Sequence, residues 1–285
     1  MNMTIVLGLG ALFFYGFNDV IFKRAAQGGT PAHHLLLIQN VVILPIFVAY
    51  GLATGSLVPS YAGLFAGIGI GIVSFTGFYN FARSMTSGAV SVVAPIFRLN
   101  FVLTSILAVI ALGEAFSIMK VGVLALAVAA VWLLLASGQA KGIEMNRNTI
   151  IHLGLAIGSI SIGHCLYKLA FIGGASTSSV LIVVITTLAI ISPVVTRWMD
   201  GKISVPASST RLCALGAVFQ AIAVICLAEG YARGEASMVA PISQLGFVVS
   251  AILGVVLFRE ALTSRKVVGL TMAIGAVALF TIASQ

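Results

Sequence analysis

This chain has little charge. Only 8 % of its 285 residues are Asp, Glu, Lys or Arg, against a hydrophobic fraction of 60 % and a mean hydropathy of +1.16. A soluble domain carries roughly a quarter charged residues, so this chain cannot cover a water-facing surface and must face lipid. Acids are scarcer still, seven against fifteen Lys and Arg. The net charge of +8 is nevertheless no nucleic-acid signal, because no run of basic residues exists to follow a phosphate backbone. Cysteines number three, Cys165, Cys213 and Cys226, all inside apolar segments. An odd number without ligand spacing excludes a disulfide framework and a cysteine metal site, and reads as small core hydrophobes. There is no phosphate-binding glycine loop, no nucleophilic triad and no carboxylate pair at catalytic spacing. Direct ATP coupling and catalysis are therefore not expected, and neither is a cofactor. The start, Met-Asn-Met-Thr, lacks the basic region of a cleavable signal peptide.

What the chain does have is itself, twice. At an offset of 146, Gly88-Ala89-Val90-Ser91-Val92-Val93-Ala94-Pro95-Ile96 lies over Gly234-Glu235-Ala236-Ser237-Met238-Val239-Ala240-Pro241-Ile242. The same shift lays Gly113-Glu114-Ala115 over Arg259-Glu260-Ala261, and Lys120-Val121 over Lys266-Val267. At 145, Lys23 and Gly28-Gly29 meet Lys168 and Gly173-Gly174. Pro45, Pro59 and Pro95 pair in order with Pro193, Pro206 and Pro241.

A membrane-spanning helix needs about 20 mostly apolar residues. Ten such segments are predicted, at 3–25, 32–54, 60–82, 88–111, 117–137, 149–172, 178–199, 210–231, 236–258 and 265–283. The expected fold is an all-α integral membrane protein of two five-helix repeats, residues 1–140 and 146–285. Five is odd, so the second repeat enters the membrane inverted relative to the first. In the third segment Gly63, Gly67 and Gly71 line one face, the small-residue spacing that lets helices pack closely in lipid.

Orientation follows the basic residues of the loops. Loops after odd-numbered helices hold Lys23, Arg24, Arg83, Lys141, Arg147, Arg197, Lys202, Arg211, Arg259, Arg265 and Lys266; the other side holds only Lys120 and Arg233. The bias of eleven to two places both termini outside, which in a bacterial inner membrane means the periplasm.

Two five-helix halves, each with a central Ala-Pro in its fourth helix followed by a Gly-Glu or Arg-Glu step and a basic turn, resemble the EamA-type repeat of the drug/metabolite transporter superfamily. The likeness covers essentially the whole chain. The ten-helix layout is similar to bacterial amino-acid and metabolite exporters, the YddG-like branch among them. It implies a central cavity walled mainly by helices 1, 3, 4, 6, 8 and 9, with the fourth-helix motif on Pro95 and Pro241 and its Glu on Glu114 and Glu260. It also implies cytoplasmic termini, the reverse of what the loop charges imply.

Polar groups in mid-membrane are functional candidates by default. Asp19 in helix one has Tyr15 and Lys23 four residues to either side, on its own face. It either pairs with Lys23 or meets a substrate amine or a proton. Arg98, three residues after Pro95, suits a carboxylate through two parallel hydrogen bonds, or pairs with Asp19. Its repeat counterpart is Gln244. Pro95 and Pro241 each remove a backbone hydrogen bond, which a cavity tolerates. His164 and Lys168 share a face of helix six; a core histidine and a lysine reaching to the interface are the structural readings. Phe78 and Tyr79 in helix three are candidate walls for an apolar side chain. Arg83 and Glu229 align at the 146 offset near span ends, as gates or anchors. A cavity with both signs of charge suits a zwitterion. The function expected is export of amino acids or similar metabolites by alternating access, with a small-molecule substrate and the lipid bilayer as partners, protons as a further partner and a monomer as the working unit. The alternative is proton-coupled efflux of hydrophobic cations through Asp19.

Overall fold

The computed structural model describes residues 2–87, 90–115, 117–137, 146–203, 207–258 and 263–283. The Gly88–Ala89 step, Glu260 and the Lys23 side chain lie outside the described residues. Among those described there is no strand; in lipid a backbone must satisfy its own hydrogen bonds, and a helix does so within one segment.

The described residues form ten helical spans in order. They are α1 (Met3–Gln27), α2 (Ala32–Thr54), α3 (Tyr61–Ser87), a broken fourth span made of α4 (Val90–Arg98) and α5 (Asn100–Leu112), and α6 (Ile118–Ser137). The second half repeats the pattern with α7 (Arg147–Ile172), α8 (Thr177–Asp200), α9 (Ala207–Arg233), a broken ninth span of α10 (Ala236–Gln244) and α11 (Phe247–Phe258), and α12 (Ser264–Ala283). Eight spans are long and apolar enough to cross a membrane, while α6 and α12 carry shorter apolar stretches, Lys120–Leu133 and Val267–Ala276.

The duplication reappears in the turns. Gly55 after α2 and Gly201 after α8, 146 positions apart, both close their helices at positive φ, 68° and 71°. Only glycine adopts that conformation without steric cost.

The halves interleave rather than sit side by side. α1 lies along α9, α2 along α8, α3 along both α7 and α8, and α6 along α12. The glycine stripe of α3 makes one of these contacts. A Cβ on Gly67 would meet Val183 at 2.7 Å, and one on Gly71 would meet Thr187 at 2.6 Å, so the stripe seats α3 directly on α8.

Both broken spans are interrupted one turn after their proline, at Leu99 and at Leu245–Gly246, and the helix runs through the prolines themselves. The interruptions are local tightenings: Leu99 N–H donates to Ile96 O at 3.0 Å, and Val248 N–H to Leu245 O at 2.9 Å. Asn100 Nδ2 donates to Phe97 O at 2.9 Å and Ser243 Oγ to Ala240 O at 2.9 Å, so side chains take up carbonyls near each break.

Candidate functional site

Each break packs against the first helix of the opposite half. Gly16 of α1 meets Gly246 so closely that a Cβ on Gly246 would lie 2.8 Å from Leu12 O and 3.2 Å from Gly16 N. In the other pairing, Ser161 Oγ of α7 donates to Asn100 O at 2.9 Å. These contacts bring the polar residues that follow each proline to the middle of the bundle.

There Arg98, buried at the end of α4, donates from Nη1 to Gln244 Oε1 at 2.8 Å and from Nη2 to Asp19 Oδ1 in an ion pair. Its guanidinium carbon stands 5.9 Å from the centre of the Tyr15 ring, within cation–π range. The pair is lopsided: the Arg98 side chain is 8 % exposed and that of Asp19 26 %, so the carboxylate is the member open to the space beside it.

That space is a cavity of about 700 Å³, its open mouth included. Tyr15, Asn18, Asp19 and Phe22 line it from α1; Ser74, Phe78 and Phe81 from α3; Phe97 and Arg98 from α4. The second half contributes Ile160, Gly163, His164 and Tyr167 from α7, Gln220, Val224 and Leu227 from α9, and Gln244 from α10. The walls are thus spans 1, 3, 4, 6, 8 and 9, three from each half. Phe81 and Phe97 stack at 4.0 Å between centroids and form an apolar flank.

The chain matches the EamA-like transporter family over residues 2–136 and 150–282, one stretch per half. It belongs to that family. This transporter also superposes on a protein of known crystal structure with a TM-score of 0.80 over 98 % of its own length and 96 % of the other chain. Identity is 17 %, and the likeness is one of fold. No curated protein matches the chain.

Six residues singled out in the sequence line the transporter's cavity: Tyr15, Asp19, Phe78, Arg98, His164 and Gln244. His164 Nδ1 lies 3.3 Å from Thr104 Oγ1. Tyr79 points elsewhere, with its hydroxyl 3.5 Å from Met199 Sδ and its ring stacked on Phe75. Lys168 reaches the end of α9, where its Nζ donates to Tyr231 O at 3.0 Å and Gly234 O at 2.7 Å. A cation there satisfies terminal carbonyls and the negative end of the helix dipole. Glu229 accepts from the Tyr50 hydroxyl at 2.6 Å and forms an ion pair with Arg233. Arg83 is exposed near the end of α3. Pro95 and Pro241 lie inside α4 and α10.

Glu114, the motif acid of the first half, caps α10. Its oxygens accept from Ala236 N–H at 2.6 Å and Ser237 N–H at 2.9 Å. Lys120 beside it pairs with Glu235 and donates to Ser237 Oγ at 3.1 Å. The Glu114 and Lys120 contacts tie the two halves together at the end of the bundle where α10 begins, and Lys168 closes the end of α9 there within the second half.

Asn18 and Gln220 also enter the cavity wall, although neither is among the expected substrate-binding residues. Asn18 Nδ2 donates to Gln220 Oε1 at 2.8 Å, and Gln39 Nε2 to Asn18 Oδ1 at 3.4 Å. Their signal was a primary amide within each of three apolar segments, a group that must find a partner in lipid.

Proposed function

We propose that this transporter exports amino acids, or metabolites with the same pairing of carboxylate and ammonium, across the bacterial inner membrane by alternating access. The observation that carries the reading is the Asp19–Arg98 pair on the cavity wall. A substrate carboxylate takes the place of Asp19 on the Arg98 fork, and the freed Asp19 receives the substrate ammonium. One ion pair becomes two, and no net charge enters the low-dielectric interior. A lone cation or anion would leave one charge without a partner there, which is expensive. Gln244 keeps Arg98 aimed throughout, and Phe22, Phe78, Phe81 and Phe97 offer an apolar wall to the substrate side chain.

The duplicated sequence and the two broken spans support alternating access, because inverted repeats carry paired half-sites around a midplane site. In this reading the repeats, residues 1–140 and 146–285, lie in opposite orientations with both termini in the periplasm. A single chain is the working unit, since it supplies all the walls. The fixed positive charge of Arg98 beside Asp19 weighs against hydrophobic cations as cargo.

Counterflow into proteoliposomes decides it, with a panel of labelled amino acids and a hydrophobic cation, with and without a proton gradient. Stimulated uptake of neutral amino acids is expected. Transport of the cation with no amino-acid counterflow would overturn the proposal.

A further inference from the structure

Away from the cavity, the N-terminus of α2 and the C-terminus of α8 meet in a cluster that the transport reading does not use. His33 Nε2 lies 3.1 Å from each oxygen of Asp200, and His34 Nε2 lies 2.5 Å from Oδ2. The three ligand atoms all fall within 4.8 Å of one another. The two rings stand 4.5 Å apart at 72°, so adjacent helical residues converge on one point instead of diverging.

The joint between α2 and α8 does not require such a set. The other end of the same helix pair is made by the duplicated positions, and it is uncharged. Ser178, which corresponds to His33 at the offset of 145, donates from Oγ to Ser56 O at 2.9 Å. One serine hydrogen bond suffices there, whereas here two imidazoles and a carboxylate share a single spot.

We propose that His33, His34 and Asp200 form a site for a divalent transition metal of the zinc class, stapling α2 to α8. Two neutral imidazoles and one carboxylate are a three-ligand zinc set that leaves a fourth position for water. On a tetrahedral zinc with bonds of about 2.0–2.1 Å, ligand atoms stand roughly 3.3 Å apart. His33 is already at 3.1 Å from Asp200, while His34 at 2.5 Å has to draw back to admit an ion. Access suits the same assignment: the imidazoles are 9 % and 11 % exposed and Asp200 28 %, so the metal enters from the aqueous end and the water ligand faces out. The negative C-terminal end of α8 offsets the positive N-terminal end of α2, so the charge that favours a cation here is the Asp200 carboxylate. When the metal binds, each Nε2 gives up its proton or presents its lone pair, and Asp200 exchanges two imidazole contacts for one metal bond.

The test uses the full chain, purified in detergent with a tag free of histidine and titrated with zinc against a chromophoric chelator. About one zinc per chain and a rise in melting temperature are expected. Cobalt in place of zinc should show the visible absorption of a tetrahedral site. The His33→Gln/His34→Gln double variant should lose binding. Asp200→Asn keeps an oxygen acceptor for both imidazoles, so it holds the joint should the double variant fail to fold. Its zinc affinity should drop by more than the roughly 10–100-fold that follows loss of an outer partner. Absence of stoichiometric zinc in the parent protein, or unchanged affinity in Asp200→Asn, would overturn the site.

Discussion

Arg98 donates to Gln244 at 2.8 Å, and the two residues are each other's counterparts, 146 positions apart. Residues related by a two-fold operation touch only close to its axis. This hydrogen bond therefore marks the pseudo-symmetry axis of the bundle, and it lies in the cavity wall. Duplication then divergence gave one copy a permanent cation and the other a neutral amide that accepts from it. Two cations so close on one axis would repel each other at low dielectric.

Arg98→Lys keeps the charge and removes the fork. A lysine cannot hold Asp19 and Gln244 with the same planar geometry, nor stack on Tyr15. A charge-assisted hydrogen bond is worth about 1.5–3 kcal/mol, so counterflow should drop roughly ten- to a hundredfold while the protein stays folded. Wild-type rates in this variant would reduce Arg98 to a structural partner.

Asp19→Asn leaves the buried Arg98 without its counter-charge. Breaking a buried pair costs about 3–5 kcal/mol, and the partial exposure of Asp19 places this site toward the lower end. Thermal unfolding in detergent should show the loss. The double change Asp19→Asn/Arg98→Gln should recover much of the stability and none of the transport. Additive losses in this cycle would mean that the two side chains are not coupled.

Gly246→Ala sets a methyl group against two backbone atoms, Leu12 O and Gly16 N, which cannot rotate away. α1 must then move off the broken ninth span, carrying Asp19 with it. Lower melting temperature and lower transport together are expected. Gly122→Ala on α6 meets nothing within 4 Å and should be neutral or slightly stabilising. Equal behaviour of the two variants would remove the close approach from the account of the site.

The topology prediction rests on the loop charges. A C-terminal alkaline phosphatase fusion should be active, and a C-terminal fluorescent-protein fusion dark. Bright fluorescence without phosphatase activity would reverse the orientation.

Much of the architecture was legible because lipid leaves few choices. The ten apolar segments, their glycine turns and the repeat specified all ten spans, and the α3 glycines announced a close contact. The partner of that contact was not legible, since spacing says that a backbone can approach and not which helix will. Asp19 shows the same limit. Its neighbours at helical spacing were Tyr15 and Lys23, and the residue that holds it comes from α4, 79 positions away. Lys168 looked like a cavity cation, yet the fold carries it to the end of α9, because four methylenes let an ammonium reach the nearest unsatisfied carbonyls.

By itself the sequence determined the class, the span count and the identity of the polar residues, since membrane insertion depends on composition and length read along one segment. Only the tertiary structure decided how the halves meet. Interleaving puts each broken span against the first helix of the other half, with Gly16 on Gly246 and Ser161 on Asn100. That pairing turns two similar half-sites into one wall with a cation at its axis. Such contacts depend on the shapes of two surfaces at once, and a periodicity within a single segment records only one of them.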